Sequence, residues 1–187
     1  MKYTYFRLVL AVLLFLGGWQ IVSAETNELM VRCVAFYNLE NVFDTIHDEG
    51  KNDYEYLPDG GMKWTSLKYT NKIQNMAYAI AQLGTDEDPR GAAIVGVSEV
   101  ENIGCLHDLC KELKEKHNRN YVPILLEGPD RRGIDVGLLY NPDMFKPVGQ
   151  PKGYELKAHY ADGGVVRSRL QLWISGYMLD DNRKIVM

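Results

Sequence analysis

Three groups of polar residues stand where strand-like segments end. Asn38, Glu40 and Asn41 follow the β-forming run VRCVAFY at 31–37. Amide and carboxylate oxygens held there by rigid backbone, beside an open loop, suit a hard cation such as Mg²⁺. Asn and acidic residues after a strand also commonly make turns or cap helices, which is the plainer reading of this group. Glu99 is a sharper candidate, because it closes the apolar run AAIVGVS at 92–98. A strand of that composition is buried on both faces, and ligands of open α/β sheets bind beyond the carboxyl ends of the strands. One well-placed carboxylate is enough for Mg²⁺, which keeps waters and phosphate oxygens in its shell. From position alone, a solvated strand end, or a share with Glu101 and Asn102 in capping the next helix, explains Glu99 equally well. Asp130, Arg131, Arg132 and Asp135 surround a third turn. An arginine there can make paired hydrogen bonds with a phosphate, although such clusters are more often solvated turns with local ion pairs. His47, His107, His117 and His159 show neither HxH nor HExxH spacing, which leaves zinc hydrolases of those patterns without support.

The elements that must position these residues follow from periodicity. Leu67, Ile73, Met76, Ala77, Ile80 and Leu83 recur at helical spacing, predicting a helix over 66–83 closed by Gly84. The preceding segment 41–65 is polar, rich in Gly, Asp and Tyr, and long enough to be a binding or lid loop. A charged turn over 86–91 leads into the strand that delivers Glu99, and a second helix is expected over 103–116. Then come the strand YVPILLE at 121–127, the turn GPDRRG at 128–133 and the strand IDVGLLY at 134–140, ended by Asn141-Pro142. Further strand-like segments lie near 153–157, 165–175 and 185–186. This order implies a mixed α/β layer structure with helices packed on a sheet.

The first 24 residues read as an export signal. Lys2 and Arg7 precede an apolar run from Leu8 to Leu16, and Val22-Ser23-Ala24 supplies small residues for cleavage, so the mature chain is expected to start at Glu25. The apolar core falls short of the ~20 residues that cross a bilayer, so a stable membrane anchor is not expected and a secreted or periplasmic location is. Residues 25–187 then form one domain or part of one. Losing Lys2 and Arg7 with the leader takes the formal charge from −4 to −6. That balance argues against tight, sequence-independent binding of nucleic acid while suiting a protein that holds divalent cations. Cys33, Cys105 and Cys110 are an odd set without zinc-motif spacing. Cys105 and Cys110 are five apart on one expected helix, hence on different faces, and buried free thiols are favoured over a disulfide.

Taken in order, FYNLENVFDT at 36–45, GVSEVEN at 96–102 and RGIDVGLLYNP at 132–142 resemble successive motifs of the endonuclease/exonuclease/phosphatase superfamily, the DNase I-like proteins, especially its exported bacterial members. The resemblance runs from about Val31 to the end. It implies the N-terminal half of a four-layer α/β sandwich, with a mixed sheet and helices on one face. It implies metal-dependent hydrolysis of phosphodiester or phosphomonoester bonds, with Mg²⁺ or Mn²⁺ as cofactor and a phosphate ester, nucleic acid among the admissible kinds, as substrate. By that resemblance Glu99 is a direct metal ligand, Asn38 orients the phosphate and metal-bound water, and Glu40 is a further metal candidate. Arg132 and Asp135 would touch the phosphate or support the groove from behind. The family's closing Ser-Asp-His does not occur after Asn141, and the only Asp-x-Asn spacing there is Asp180-Asp181-Asn182. The 187-residue chain is therefore expected to be inactive by itself. The competing expectation is an exported, non-catalytic binding protein that keeps the start of the fold; a third is an exported α/β protein in which Glu99 is only a strand-end acid.

Overall fold

The computed structural model describes residues 30–156, 158–166, 169–180 and 184–187. The expected export signal and its cleavage after Ala24 lie outside these residues, as does Lys157 of the segment expected to be strand-like. No helix among the described residues is long and apolar enough to cross a membrane.

Four strands form the first sheet: β1 (Val34–Val42), β2 (Ile94–Val100), β3 (Val122–Leu126) and β4 (Asp135–Tyr140). Their spatial order is β1-β2-β4-β3, with β1 and β2 parallel and the other two pairings antiparallel. The sheet is thus mixed. Pro123, which cannot donate to a ladder, lies in the edge strand β3, where that loss is tolerated.

Two helices cover one face: α1 (Ser66–Ile80) and α2 (Ile103–His117). α1 starts at Thr65, whose side chain accepts from the Lys68 amide, and its regular part ends three residues before the expected Leu83 in a run of turns. α2 is capped by Asn102, which accepts from the Cys105 amide at 3.1 Å, and it ends on left-handed Asn118 (φ 53°) with Lys114, Lys116 and His117 in the last turn. Ile73, Met76, Ala77 and Ile80 of α1 pack with Leu106, Leu109 and Leu113 of α2 over Val95, Val97 and Leu139 of the sheet. Cys105 and Cys110 both fall within the broad buried stripe of α2 rather than on opposite faces, and all three cysteines are free thiols.

The sheet's other face meets a second sheet, ordered β5-β8-β9, from β5 (Phe145–Tyr154), β8 (Gln171–Met178) and β9 (Lys184–Val186). The short pair β6 (Ala158–His159) and β7 (Val165–Val166) stands between them in sequence. Ile94 and Leu138 from the first sheet pack against Phe145, Ile174 and Met178 from the second. Beside this contact an apolar cleft of about 470 Å³ opens, lined by Phe36, Val136, Leu170 and Leu172 among others, and Phe36 is 68% exposed. Helices, mixed sheet and second sheet match the expected half sandwich. Segment 41–65 is better built than a plain loop. It holds a single 3₁₀ turn (Tyr54–Tyr56), Phe43 stacked on Tyr56, and Trp64, whose indole N–H donates to the Phe43 carbonyl at 2.7 Å.

An ion-pair network binds the start of β1 to the turn before β2 and the end of β8. Arg90 donates to Asp88 at 2.9 Å and to Asp180 at 3.1 Å, and Arg32 donates to both carboxylates. Hydrogen bonds from Arg90, aided by Arg32, hold both carboxyls below the ordinary carboxylate range. A depressed carboxyl stabilises the fold above its unfolded pKa, and that contribution is lost as pH falls through the folded value. The melting temperature should therefore fall as pH drops below about 4, and less steeply in the Asp88→Asn, Asp180→Asn double variant. Equal acid sensitivity of the two proteins, measured by calorimetry, would show that the network contributes nothing.

Candidate functional site

The ends of β1 and β2 lie side by side, with Asn38 the register partner of Ser98. Both strands become irregular there, β1 between Asn38 and Val42 and β2 between Ser98 and Val100. The backbone shows why: Glu40 (φ 55°), Asn41 (φ 61°) and Glu99 (φ 63°) are left-handed, three of the five such non-glycine residues described. Left-handed geometry costs a glutamate ~1–3 kcal/mol and concentrates at functional sites. At a bulge it re-aims a side chain that regular alternation would send elsewhere.

The Asn38 side-chain oxygen Oδ1 accepts from the Glu40 backbone amide at 3.0 Å and from the Ser98 hydroxyl at 3.2 Å. Both acceptor positions of that oxygen are thus used inside the protein, which leaves the side-chain N–H₂ as its donor. Glu40 is exposed and Glu99 is partly exposed. Arg169 reaches Glu99 at 3.5 Å and Asp130 at 3.3 Å. Arg132 donates to the Asn41 side chain at 3.4 Å, and its backbone N–H donates to the Asp130 carboxylate at 2.9 Å. Lys72 of α1 lies close enough to feel both Glu40 and Glu99. Burial pulls its ammonium below the ordinary range, and those two carboxylates act in the opposite sense. From Glu40 an open groove of about 450 Å³ runs along α1, lined by Tyr37, Trp64, Lys68, Asn71 and Lys72.

The structure thus gathers Asn38, Glu40, Glu99 and Arg132 around the ends of β1 and β2. Asp135, the register partner of Val100 at that same end of β2, is buried instead. That residue opens β4, is 2% exposed and accepts from the Gly128 amide at 2.8 Å. Burial raises its carboxyl pKa against the effect of that hydrogen bond.

Arg169 and Lys72 were not singled out from sequence. Arg169 is 70 positions from Glu99 with no local pattern to mark it. Lys72 did carry a signal, being a lysine directly before Ile73 on the buried flank of an amphipathic helix. A second acidic group, Asp44, Glu101 and Cys105, has ligand atoms all within 4.8 Å of one another. Both of its carboxylates accept protein hydrogen bonds: Glu101 from the Asp44 N–H at 2.7 Å and Asp44 from the Asn102 side chain at 3.0 Å. Burial, with the Asp44 charge adding to it, pushes the Glu101 carboxyl up to about 8 and the Cys105 thiol up to about 12. This group ties the segment after β1 to the start of α2.

The hard oxygens of Glu99 and Glu40 fit Mg²⁺ or Mn²⁺, which need only one or two protein carboxylates. Among solved structures, the chain is similar to an endonuclease/exonuclease/phosphatase from Bacteroides vulgatus, with 16% identity, a TM-score of 0.47, and 81% of this chain and 48% of that one covered. A family protein from Bacteroides thetaiotaomicron gives 18%, 0.45, 82% and 47%, and a mannosyl-6-phosphatase from the same organism gives 18%, 0.47, 82% and 48%. The chain spans about half the length of these structures. No curated protein sequence is similar enough to match it. A sequence model of the endonuclease/exonuclease/phosphatase family matches residues 33–187, and the chain belongs to that family.

Proposed function

We propose that this chain supplies the metal-holding and phosphate-orienting side of an exported, Mg²⁺- or Mn²⁺-dependent phosphate-ester hydrolase. The observation that carries the proposal is the pair of bulges that turn Glu40 and Glu99 into left-handed geometry beside Asn38. Glu99, with Glu40, would hold the cation, which supplies a water acidic enough to attack phosphorus and positive charge for the phosphate oxygens. The residues of this chain do the rest of what is assigned here. Asn38 donates to a phosphate oxygen through its amide and is fixed in that orientation by Ser98 and the Glu40 amide. Arg132 presents a guanidinium to the same phosphate, and Arg169 offers a second while it neutralises Glu99. Asp135 supports the turn that carries Arg132. The groove along α1 takes the alcohol side of the ester.

The acidic net charge, −4 for the whole chain and −6 once Lys2 and Arg7 leave with the leader, favours a small phosphate ester over long nucleic acid. Export, with cleavage near Ala24, belongs to the same proposal.

The test is hydrolysis of a phosphomonoester, a generic phosphodiester and DNA, with Mg²⁺, with Mn²⁺ and with a chelator. It is run on the 187-residue chain and on any longer polypeptide that contains it. Turnover in the longer form that stops with the chelator and favours the small esters is expected. The short chain is expected to give no turnover above background. Metal-independent hydrolysis would refute the proposal. Phosphate binding without turnover in every form would favour the non-catalytic reading.

A further inference from the structure

We propose that Lys72 is the leaving-group contact of this site: its ammonium lines the groove along α1 together with Glu40, placed to hydrogen-bond the ester oxygen that joins phosphorus to the alcohol. The inference rests on the proposed function, since it needs a cation on the two glutamates and a phosphate ester beside them.

Placement follows from the helix pattern. Lys72 directly precedes Ile73, which is buried under α1, so the lysine rides the flank of that helix, half-buried and one turn before Met76. Tyr37 and Glu40 of β1 form the facing wall of the groove. The ammonium is near enough to the Glu40 and Glu99 carboxylates to feel both, yet among the described residues it makes no hydrogen bond and no ion pair. A half-buried cation without an acceptor is left to water or to a ligand.

The other cations of the site are committed. Arg169 spans Glu99 and Asp130, and Arg132 is tied to Asn41 and Asp130. Lys68, one turn before Lys72, donates to the Met62 carbonyl at 2.8 Å. Asn38, Arg132 and Arg169 thus serve the phosphoryl oxygens, and Lys72 is left for the oxygen on the groove side. In hydrolysis the water oxygen bonds to phosphorus while the bond from phosphorus to the alcohol oxygen breaks, and the electron pair stays on the alcohol oxygen. The water gives up one proton and the alcohol takes up one, both through solvent. Lys72 keeps its own proton and stabilises the charge that grows on the departing oxygen. The same positive charge opposes a divalent cation on Glu40 and Glu99, so metal and ester should respond to its removal with opposite sign.

Two titrations of the 187-residue chain test this, in wild type, Lys72→Met, Lys72→Gln, Lys72→Arg and Glu99→Gln. Mn²⁺ binding is followed by water relaxation, and binding of methyl phosphate to the Mn²⁺-loaded chain by calorimetry. Both neutral variants should bind Mn²⁺ roughly three- to tenfold more tightly than wild type. They should bind methyl phosphate roughly tenfold more weakly. Two of them keep the test decisive if one misfolds, and Lys72→Arg, which retains charge and donors, should stay close to wild type on both readouts. Wild type should also prefer methyl phosphate to ethylphosphonate, its isostere with carbon in place of the bridging oxygen, when both are dianions. That preference should vanish without Lys72. Unchanged affinities in the neutral variants, weakening of both Mn²⁺ and ester as a structural lysine would give, or a preference that is absent from wild type or survives in the neutral variants would each overturn the inference. So would wild type that binds Mn²⁺ but no methyl phosphate. In all these cases loss of Mn²⁺ by Glu99→Gln would leave the metal site of the proposed function standing. Absence of Mn²⁺ binding by wild type would sink that function, and this inference with it.

Discussion

Changing Glu99 to glutamine is expected to reduce kcat/KM for a phosphate ester by roughly 10²–10³-fold in any active polypeptide that contains these residues. The substitution keeps shape and volume and removes only the charge. It should leave the fold intact, because among the described residues Glu99 pairs with a partly exposed Arg169 at 3.5 Å, and such pairs contribute little to stability. The loss should appear in kcat as well as KM, because a metal ligand acts on charge that develops in the transition state. Affinity for Mn²⁺, followed by its paramagnetic effect on water relaxation, should fall in parallel. Arg169 adds an internal control: freed from its partner in Glu99→Gln, it remains able to bind phosphate, so inhibition by inorganic phosphate should persist. Full activity of the glutamine variant would remove Glu99 from the metal site.

The second large effect is on stability. Leu109 is completely buried on α2, within the cluster that joins both helices to the sheet. Leu109→Ala deletes atoms packed on all sides and leaves a cavity, for which about 3 kcal/mol is the central expectation. For a domain of this size that lowers the melting temperature by roughly 6–12 °C. Lys111→Ala, on the exposed side of the same helix, should shift stability by no more than about 0.5 kcal/mol. Thermal melts of the two variants compare core with surface on one element. Equal shifts would mean that α2 is not held by the packing described.

Much of the helix-and-sheet half was legible in the sequence because its patterns are local. α2 starts at Ile103 as expected and runs one residue beyond 116, and α1 begins at Ser66 after a Thr cap. β2, β3 and β4 follow their apolar runs within two residues at each end. β1 was less so, since it continues to Val42 through residues whose polarity reads as loop. β5 was missed before Gly153: Pro147, Gly149 and Pro151 break the alternation that marks a strand, yet it pairs on one side only, and its register with β8 slips between Val148 and Lys152. In the site, Asn38, Glu40 and Glu99 could be named because strand ends are places where chemistry collects. The bulges that aim them could not, since φ leaves no trace in the identity of a glutamate. Arg169 arrives through tertiary folding, and no spacing rule connects it with Glu99. The burial of Asp135 was hidden because a charged residue at a turn reads as solvated until its neighbours are known.

The left-handed backbone at Glu40 and Glu99 also sets what selection for stability alone would do to these positions. Glycine relieves that geometry, so drift under selection for folding alone would carry both positions toward it. Two long acidic side chains at these positions carry a backbone cost that glycine would not. A laboratory lineage selected only for thermal resistance would be expected to discard these two glutamates early, and with them the cation ligands of the proposed site.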